Sequence, residues 1–395
     1  MKLRNFLYLV QLEEYDVRRV TAWLTAHPGG EVVEVKKHLV RTPKITLLNC
    51  IARLLFFLPP ETSVIFGLHL LQPFDWLIRQ IIQLAAGLKL RLFHPRLTSV
   101  AVTGSWGKTT AKTALLSVIS TKYRTVATPG NQNTLLGICR AVLKLPLHTE
   151  FFICEIGAYS PGDIRQICRL LRPHIGLITA VGPMHLERFG SLKNILAAKM
   201  ELSQSLPASG RLYLPQTLKT AAAEFSLQVG TVIFFSQLSA VYTDLGRFLS
   251  LPAAAVKSAL SRLPPVDHRL QLIKNGSITI LDDTYNSNPA GFELALRRLK
   301  HLPAKQRILV TPGMIELGPL QAAENTRLAA LAGEICDHVL IVGQTNREAL
   351  VKGLTGSPAK VRLVEDISAA QTALSAVSVP NSAILFENDL PDNYL

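Results

Sequence analysis

The 395-residue chain has room for two or three domains, and 48% hydrophobic against 18% charged residues exclude a disordered or low-complexity protein. A formal charge of +14 asks for an anionic partner. The Lys and Arg are scattered, without dense basic runs or basic-aromatic interleaving, which argues against nucleic acid and leaves an anionic substrate or membrane surface. Five cysteines, Cys50, Cys139, Cys154, Cys168 and Cys336, show neither a Cys-x-x-Cys pair nor finger spacing, and read as reduced thiols of a cytoplasmic protein.

Residues 1–96 read as a helical N-terminal segment without the apolar core of a cleavable leader. Two stretches inside it, 45–59 and 62–90, are strongly apolar, broken by Asn49, Arg53, Asp75 and Arg79. Neither is the run of about twenty uncharged residues that a bilayer crossing needs. Basic flanks (Lys36, Lys37, Arg41 and Lys44 before, Lys89, Arg91 and Arg96 after) fit a hairpin dipping into the cytoplasmic face of a membrane. A buried helical pair in a soluble domain is the other reading.

Residues 97–264 alternate between strand and helix patterns, with strands expected at 98–103, 124–128, 151–156, 175–181 and 211–214. Such alternation gives a mostly parallel sheet. Residues 237–263 read as helical and end at Pro264-Pro265, a hinge. Residues 265–395 alternate again, with strands near 277–282, 307–311, 338–342, 361–364 and 383–387, for a second, Rossmann-like parallel α/β domain.

The most informative stretch is Thr103-Gly-Ser-Trp-Gly-Lys-Thr-Thr110, between the strand Val100–Val102 and a helix-compatible run from Lys108. Backbone N–H groups at a helix N-terminus form an anion site, and glycine lets the main chain approach phosphate. Lys108 supplies a point charge for the outer phosphates, and the Thr109 hydroxyl is a candidate Mg²⁺ ligand. The loop is shorter than the usual Gly-x-x-x-x-Gly-Lys-Ser/Thr turn, and an accidental Gly-Lys-Thr turn is the alternative.

Other polar groups fall at expected strand ends, where open α/β sheets bind ligands. They are Thr128-Pro-Gly-Asn131-Gln-Asn133-Thr134, Glu155 after the apolar run 151–154, and Gly182-Pro-Met-His185-Leu186 with Lys199 on the following helix. The last domain adds Asp267-His268-Arg269 and Asp282-Asp283-Thr-Tyr285-Asn286-Ser-Asn288-Pro289. Judged singly, each reads as an ordinary loop, a solvated carboxylate or a structural histidine.

Together these segments, with Glu155-Ile-Gly-Ala158 and Gly313-Met-Ile-Glu-Leu-Gly318, resemble the Mur ligase family over residues 97–395. The last two C-terminal motifs look most like the branch that adds D-alanyl-D-alanine to UDP-N-acetylmuramoyl-tripeptide. The resemblance implies that Gly104, Ser105, Trp106, Gly107, Lys108, Thr109 and Thr110 hold ATP. It implies Mg²⁺ on Thr109 and Glu155, and a second Mg²⁺ on His185 and a carbamylated Lys199. Arg269 and Asp283 are implied ATP contacts, Asn286 an adenine neighbour, and Asn131, Asn133 and Thr134 neighbours of the acceptor. The implied reaction is acyl-phosphate amide synthesis on a UDP-N-acetylmuramoyl-peptide-like acceptor, with D-alanyl-D-alanine or an amino acid as the amine, by a monomer.

Three departures stand out. Residues 1–96 do not resemble the family's UDP-gripping domain, the stretch 202–243 is short for an extra β-subdomain, and Thr311-Pro-Gly-Met314 lacks the usual Asp before the Met. A membrane-anchored nucleotide-binding scaffold, or a ligase of folylpolyglutamate or cyanophycin type, stands as the alternative.

Overall fold

A computed structural model describes all residues except 31, 33, 35–37, 226, 286 and 391–395. Asn286 and the basic residues Lys36 and Lys37 therefore lie outside the described residues.

The N-terminal segment is helical: α1 (Leu3–Leu12), α2 (Val17–Ala26), α3 (Pro43–Leu54) and α4 (Pro60–Phe93). Local chemistry sets its starts. Asp16 caps α2 by accepting from the Arg18 and Arg19 N–H groups, and Thr42 caps α3. Pro43 and Pro60 stand in the first turns, where no N–H is needed. Phe6, Leu9, Val20, Leu48, Val64 and Leu68 form a small core of their own. The 34-residue α4 then runs about 50 Å at 1.5 Å per residue, and its last turns bury Ala86 and Leu90 in the next domain. Many of its other apolar residues face outward, among them Phe74 (62% exposed), Trp76 (62%), Ile78 (55%) and Leu84 (65%). The reading as a buried helical pair is therefore corrected in part: the pair buries Leu48, Val64 and Leu68, but much of its apolar surface is uncovered. Among the described residues, no helix is long and apolar enough to cross a membrane.

The central domain follows as β1 (Thr98–Thr103), α5 (Lys108–Ile119), β2 (Thr125–Ala127), α6 (Leu135–Leu143), β3 (Phe151–Glu155), α7 (Asp163–Leu171), β4 (Ile175–Ile178), α8 (Leu186–Phe189), α9 (Leu192–Gln204), β5 (Arg211–Pro215), α10 (Lys219–Ala222), β6 (Thr231–Phe235), α11 (Leu238–Phe248) and α12 (Ala253–Ser261). Its six strands run parallel in the order β2-β3-β1-β4-β5-β6. Parallel sheets are buried on both faces, which explains the unbroken apolar runs of β1 and β3. The strand β6 was not expected, and the helical stretch 237–263 is two helices parted at 249–252.

The C-terminal domain comprises β7 (Gln271–Asn275), β8 (Ile278–Asp283), α13 (Pro289–His301), β9 (Gln306–Thr311), α14 (Gln321–Ile335), β10 (His338–Val342), α15 (Arg347–Leu354), β11 (Lys360–Val364), α16 (Ile367–Val377) and β12 (Ser382–Glu387). Strand order is β11-β10-β9-β12-β8-β7, parallel except for β7, which pairs antiparallel with β8. The expected all-parallel second sheet is corrected at that edge: the turn at Gly276 is too short for the crossover that a parallel neighbour requires.

Candidate functional site

β1 lies between β3 and β4, so the loops leaving the carboxyl ends of these three strands converge where the winding reverses. Gly104 ends β1 with φ of +150°, and a Cβ there would stand 2.1 Å from Thr179 Oγ1. The loop after β4 closes on it from the other side. Ser105 N–H donates to the Ala180 carbonyl at 2.8 Å, and its hydroxyl bonds Gly182 at 3.1 Å. A Cβ on Gly182 would fall 2.4 Å from the Trp106 ring, which explains the glycine. The turn 104–107 is thus fastened before α5 begins. No side chain caps α5, so its first-turn N–H groups face the loop.

Lys108 Nζ donates to the Gly104 and Ser105 carbonyls at 2.9 and 3.3 Å. Desolvation, reinforced by Arg269 and opposed by Glu155, lowers its pKa to about 8. At the end of β3, Glu155 is 1% exposed. Its carboxylate accepts from Thr109 Oγ1 at 3.0 Å and Asn133 Nδ2 at 3.2 Å, and pairs with Lys112 Nζ at 3.2 Å. An isolated buried carboxylate would be costly, and these partners offset that cost. Lys112 was missed in the sequence. It lies one turn beyond Lys108 on the same face of α5, and that i, i+4 spacing was the available signal.

His185, beyond β4, is hydrogen-bonded through Nδ1 to Glu316 of the C-terminal domain, and Arg188 pairs with the other Glu316 oxygen at 3.1 Å. Burial pushes the Glu316 carboxyl up, but His185 and Arg188 outweigh it and hold the pKa at about 2. The Tyr159 ring lies 5.0 Å from His185 and 4.8 Å from the Arg188 guanidinium. Lys199, on α9, is 3% exposed; desolvation first, then Lys108, lower its pKa to about 7.

From the C-terminal domain, the Arg269 guanidinium stands 4.4 Å over the Tyr285 ring, and Asn131 donates to the Tyr285 hydroxyl. Lys108, Glu155, His185, Lys199 and Arg269 line one cavity of about 60 Å³. Ligand pockets run to about 300–1,000 Å³, so the C-terminal domain stands closed over the loop and must part from it to admit a nucleotide.

Other expected site residues make structural contacts or lie at the surface. Trp106 packs on Gly182, and Thr110 is exposed in the first turn of α5. Thr134, expected beside a substrate, caps α6 by accepting the Gly137 N–H at 3.4 Å. Asp283, expected on ATP, is outside the cavity lining and accepts the Leu270 N–H at 3.0 Å. Burial raises its pKa to about 6 beside Glu387, whose own pKa is pushed far above the carboxylate range.

Among the described residues, no three His, Cys, Asp or Glu side chains cluster as a metal cage. Thr109 Oγ1 and Glu155 Oε2, 3.0 Å apart, are hard oxygen donors of the kind Mg²⁺ takes alongside phosphate oxygens and water.

The comparisons with known proteins agree with this geometry. The Mur ligase middle domain matches residues 102–248, and the Mur ligase glutamate ligase domain matches residues 268–387. The UDP-N-acetylmuramoyl-tripeptide–D-alanyl-D-alanine ligase of Mycobacterium tuberculosis is 30% identical over 332 residues, covering 70% of this chain and 65% of the relative. This chain thus spans just under two thirds of that relative's length. MurF of Acinetobacter baumannii superposes with a TM-score of 0.70 at 22% identity, over 79% of this chain and 77% of that one. MurF of Thermotoga maritima, determined with ADP, superposes with a TM-score of 0.69 at 22% identity over 79% of this chain and 80% of that one. With both domain matches in sequence order and together covering more than half of its length, the chain belongs to the Mur ligase family.

Proposed function

We propose that this protein is an ATP-dependent amide ligase of peptidoglycan precursor synthesis, joining D-alanyl-D-alanine or an amino acid to a UDP-N-acetylmuramoyl-peptide-type acceptor. The observation that carries the reading is the convergence of Lys108, Glu155, His185, Lys199 and Arg269, from two domains, on one cavity. A carboxylate cannot expel oxide, so it must first be phosphorylated. Its oxygen attacks the γ-phosphorus and ADP departs; the amine then attacks the acyl carbon, phosphate leaves and the amine gives up a proton. Little covalent work falls to the protein, whose task is positioning and charge neutralisation.

Gly104 to Thr110 and the start of α5 hold the phosphates, with Lys108 leaving the Gly104 and Ser105 carbonyls for the transferring phosphoryl. Thr109 and Glu155 would hold one Mg²⁺, and His185 with a carbamylated Lys199 a second, and such ions would supply Lewis-acid neutralisation of the phosphoryl oxygens. An amine with its pKa near 7 is largely neutral at physiological pH, the form that takes up CO₂ to give a carbamate. Asn131 and Asn133 face the acceptor, while Arg269 swings in with the C-terminal domain and excludes water from the acyl phosphate.

The enzyme works as a monomer on the cytoplasmic face of the membrane, with α3 and α4 against the lipid interface. The exposed aromatic and aliphatic band of α4 and its basic neighbours Lys89, Arg91 and Arg96 support this placement over a crossing helix. A substrate panel tests the activity. Phosphate release from ATP is expected only when an N-acetylmuramoyl-peptide acceptor and D-alanyl-D-alanine or an amino acid are both present. Release that ignores both overturns the reading.

A further inference from the structure

At the opposite end of the central sheet, below the amino ends of β1 and β4, lies a second cavity of about 1120 Å³. The six residues of β1, at about 3.3 Å each, put it roughly 20 Å from the nucleotide loop. Its lining includes Arg91 at the end of α4, Arg165 and Arg169 on α7, Arg172 just beyond α7, and His94 and His174, with no Asp or Glu. Among the described residues none of these four guanidinium groups is in an ion pair with a carboxylate. His94 is 6% exposed, and neither of its ring nitrogens has a hydrogen-bond partner.

Arginines often sit beside helix carboxyl ends simply to offset the dipole, and α4, α7 and α9 all end here. Each end carries about half a negative charge, so three amount to roughly −1.5 against the +4 of the arginines. Dipole compensation therefore leaves an excess of positive charge, and it gives the buried His94 no acceptor. Guanidinium groups fit phosphate oxygens in pairs, and the imidazole N–H supplies a further donor. A narrower groove of about 340 Å³ shares Arg91 and Arg169 and continues along α4 past Leu84 and Leu88.

We propose that this cavity binds a phosphate monoester or diphosphate, at a site separate from the nucleotide loop. The phosphate belongs either to a soluble ester or to a lipid headgroup whose chain follows the groove toward the apolar face of α4. The proposal does not depend on the ligase reading.

The test uses the full chain with Lys108→Ala, which weakens the phosphate site of the loop, and inorganic pyrophosphate as probe. Pyrophosphate is expected to bind by calorimetry and to shift the His94 ring signals in NMR. Arg169→Gln with Arg172→Gln, both exposed positions, is expected to weaken binding roughly tenfold or more at unchanged thermal stability. Pelleting with phosphatidylcholine vesicles that contain phosphatidic acid, lost in the arginine variant, assigns the site to a lipid headgroup. Pyrophosphate binding without such pelleting assigns it to a soluble ester. Unaltered pyrophosphate affinity in the arginine variant, or an unmoved His94, overturns the proposal.

Discussion

His185, at the carboxyl edge of the central sheet, is hydrogen-bonded to Glu316 of the C-terminal domain, and Arg188 grips the second oxygen of the same carboxylate. One acidic side chain thus latches the two domains beside the cavity. The Glu187 N–H donates to the Glu316 carbonyl at 3.3 Å, and Glu316 takes a φ of +61° to reach both. In the proposed cycle His185 must serve a metal, so this contact belongs to the closed arrangement and is exchanged when the site fills.

Replacing Glu316 with Gln removes the charge but keeps the shape. Because that contact competes with filling of the site, weakening it is expected to lower the KM for ATP several-fold, with a smaller change in kcat. Kinetics of the Glu316→Gln variant beside a small-angle scattering comparison would check both; equal KM and equal radius would remove the latch.

The same residue sets a pH window for stability. Its folded pKa of about 2 lies below the ordinary 4.5, so its contribution is complete above about 4.5 and is lost as pH falls toward 2. The expected size is at most about 3 kcal/mol. Urea unfolding of wild type and Glu316→Gln should therefore converge at low pH and separate near neutrality.

Lys199 gives a slope of the same sign in a higher pH window. Its pKa of about 7 lies below the ordinary 10.5, so between those values the unfolded chain holds the extra proton. Stability should climb with rising pH across that window, and Lys199→Met should flatten the climb. A carbamate carbon signal from labelled bicarbonate, present in wild type and missing in the variant, is the matching spectroscopic readout.

At Gly104, alanine would place its methyl carbon 2.1 Å from Thr179 Oγ1, on a backbone angle that L residues avoid. Gly104→Ala is expected to cut ATP turnover about a hundredfold or more, by moving the loop and α5 off the phosphates. Retained turnover together with retained ADP affinity would show that the loop tolerates the shift.

Much of this was readable beforehand because buried parallel strands announce themselves: the strands expected at 98–103 and 151–156 became β1 and β3 to within one residue. The loop and the strand-end residues Glu155 and His185 were singled out by the rule that such sheets bind ligands at their carboxyl edges, and Lys199 by the family resemblance. Less was visible where tertiary context decides. β6, Thr-Val-Ile-Phe-Phe, is a good strand that lay in a stretch read as short for an extra β-subdomain. The antiparallel β7 carries Gln271, Lys274 and Asn275 and is largely exposed, so its pattern was too polar to stand out. Glu316 was visible as part of a motif, but its partner sits 131 residues away, and no spacing rule reaches across a domain interface. The apolar face of α4 was recognised as apolar, whereas its exposure depends on which neighbours the fold supplies.

The central claim is that a carboxylate is phosphorylated in the cavity between Lys108 and Arg269, and isotope transfer tests it most directly. With the acceptor carboxylate labelled in ¹⁸O, one labelled oxygen per turnover should appear in the released phosphate, and Lys108→Ala should abolish both transfer and turnover. Amide product formed with unlabelled phosphate, or labelled phosphate formed at the wild-type rate by Lys108→Ala, would contradict it.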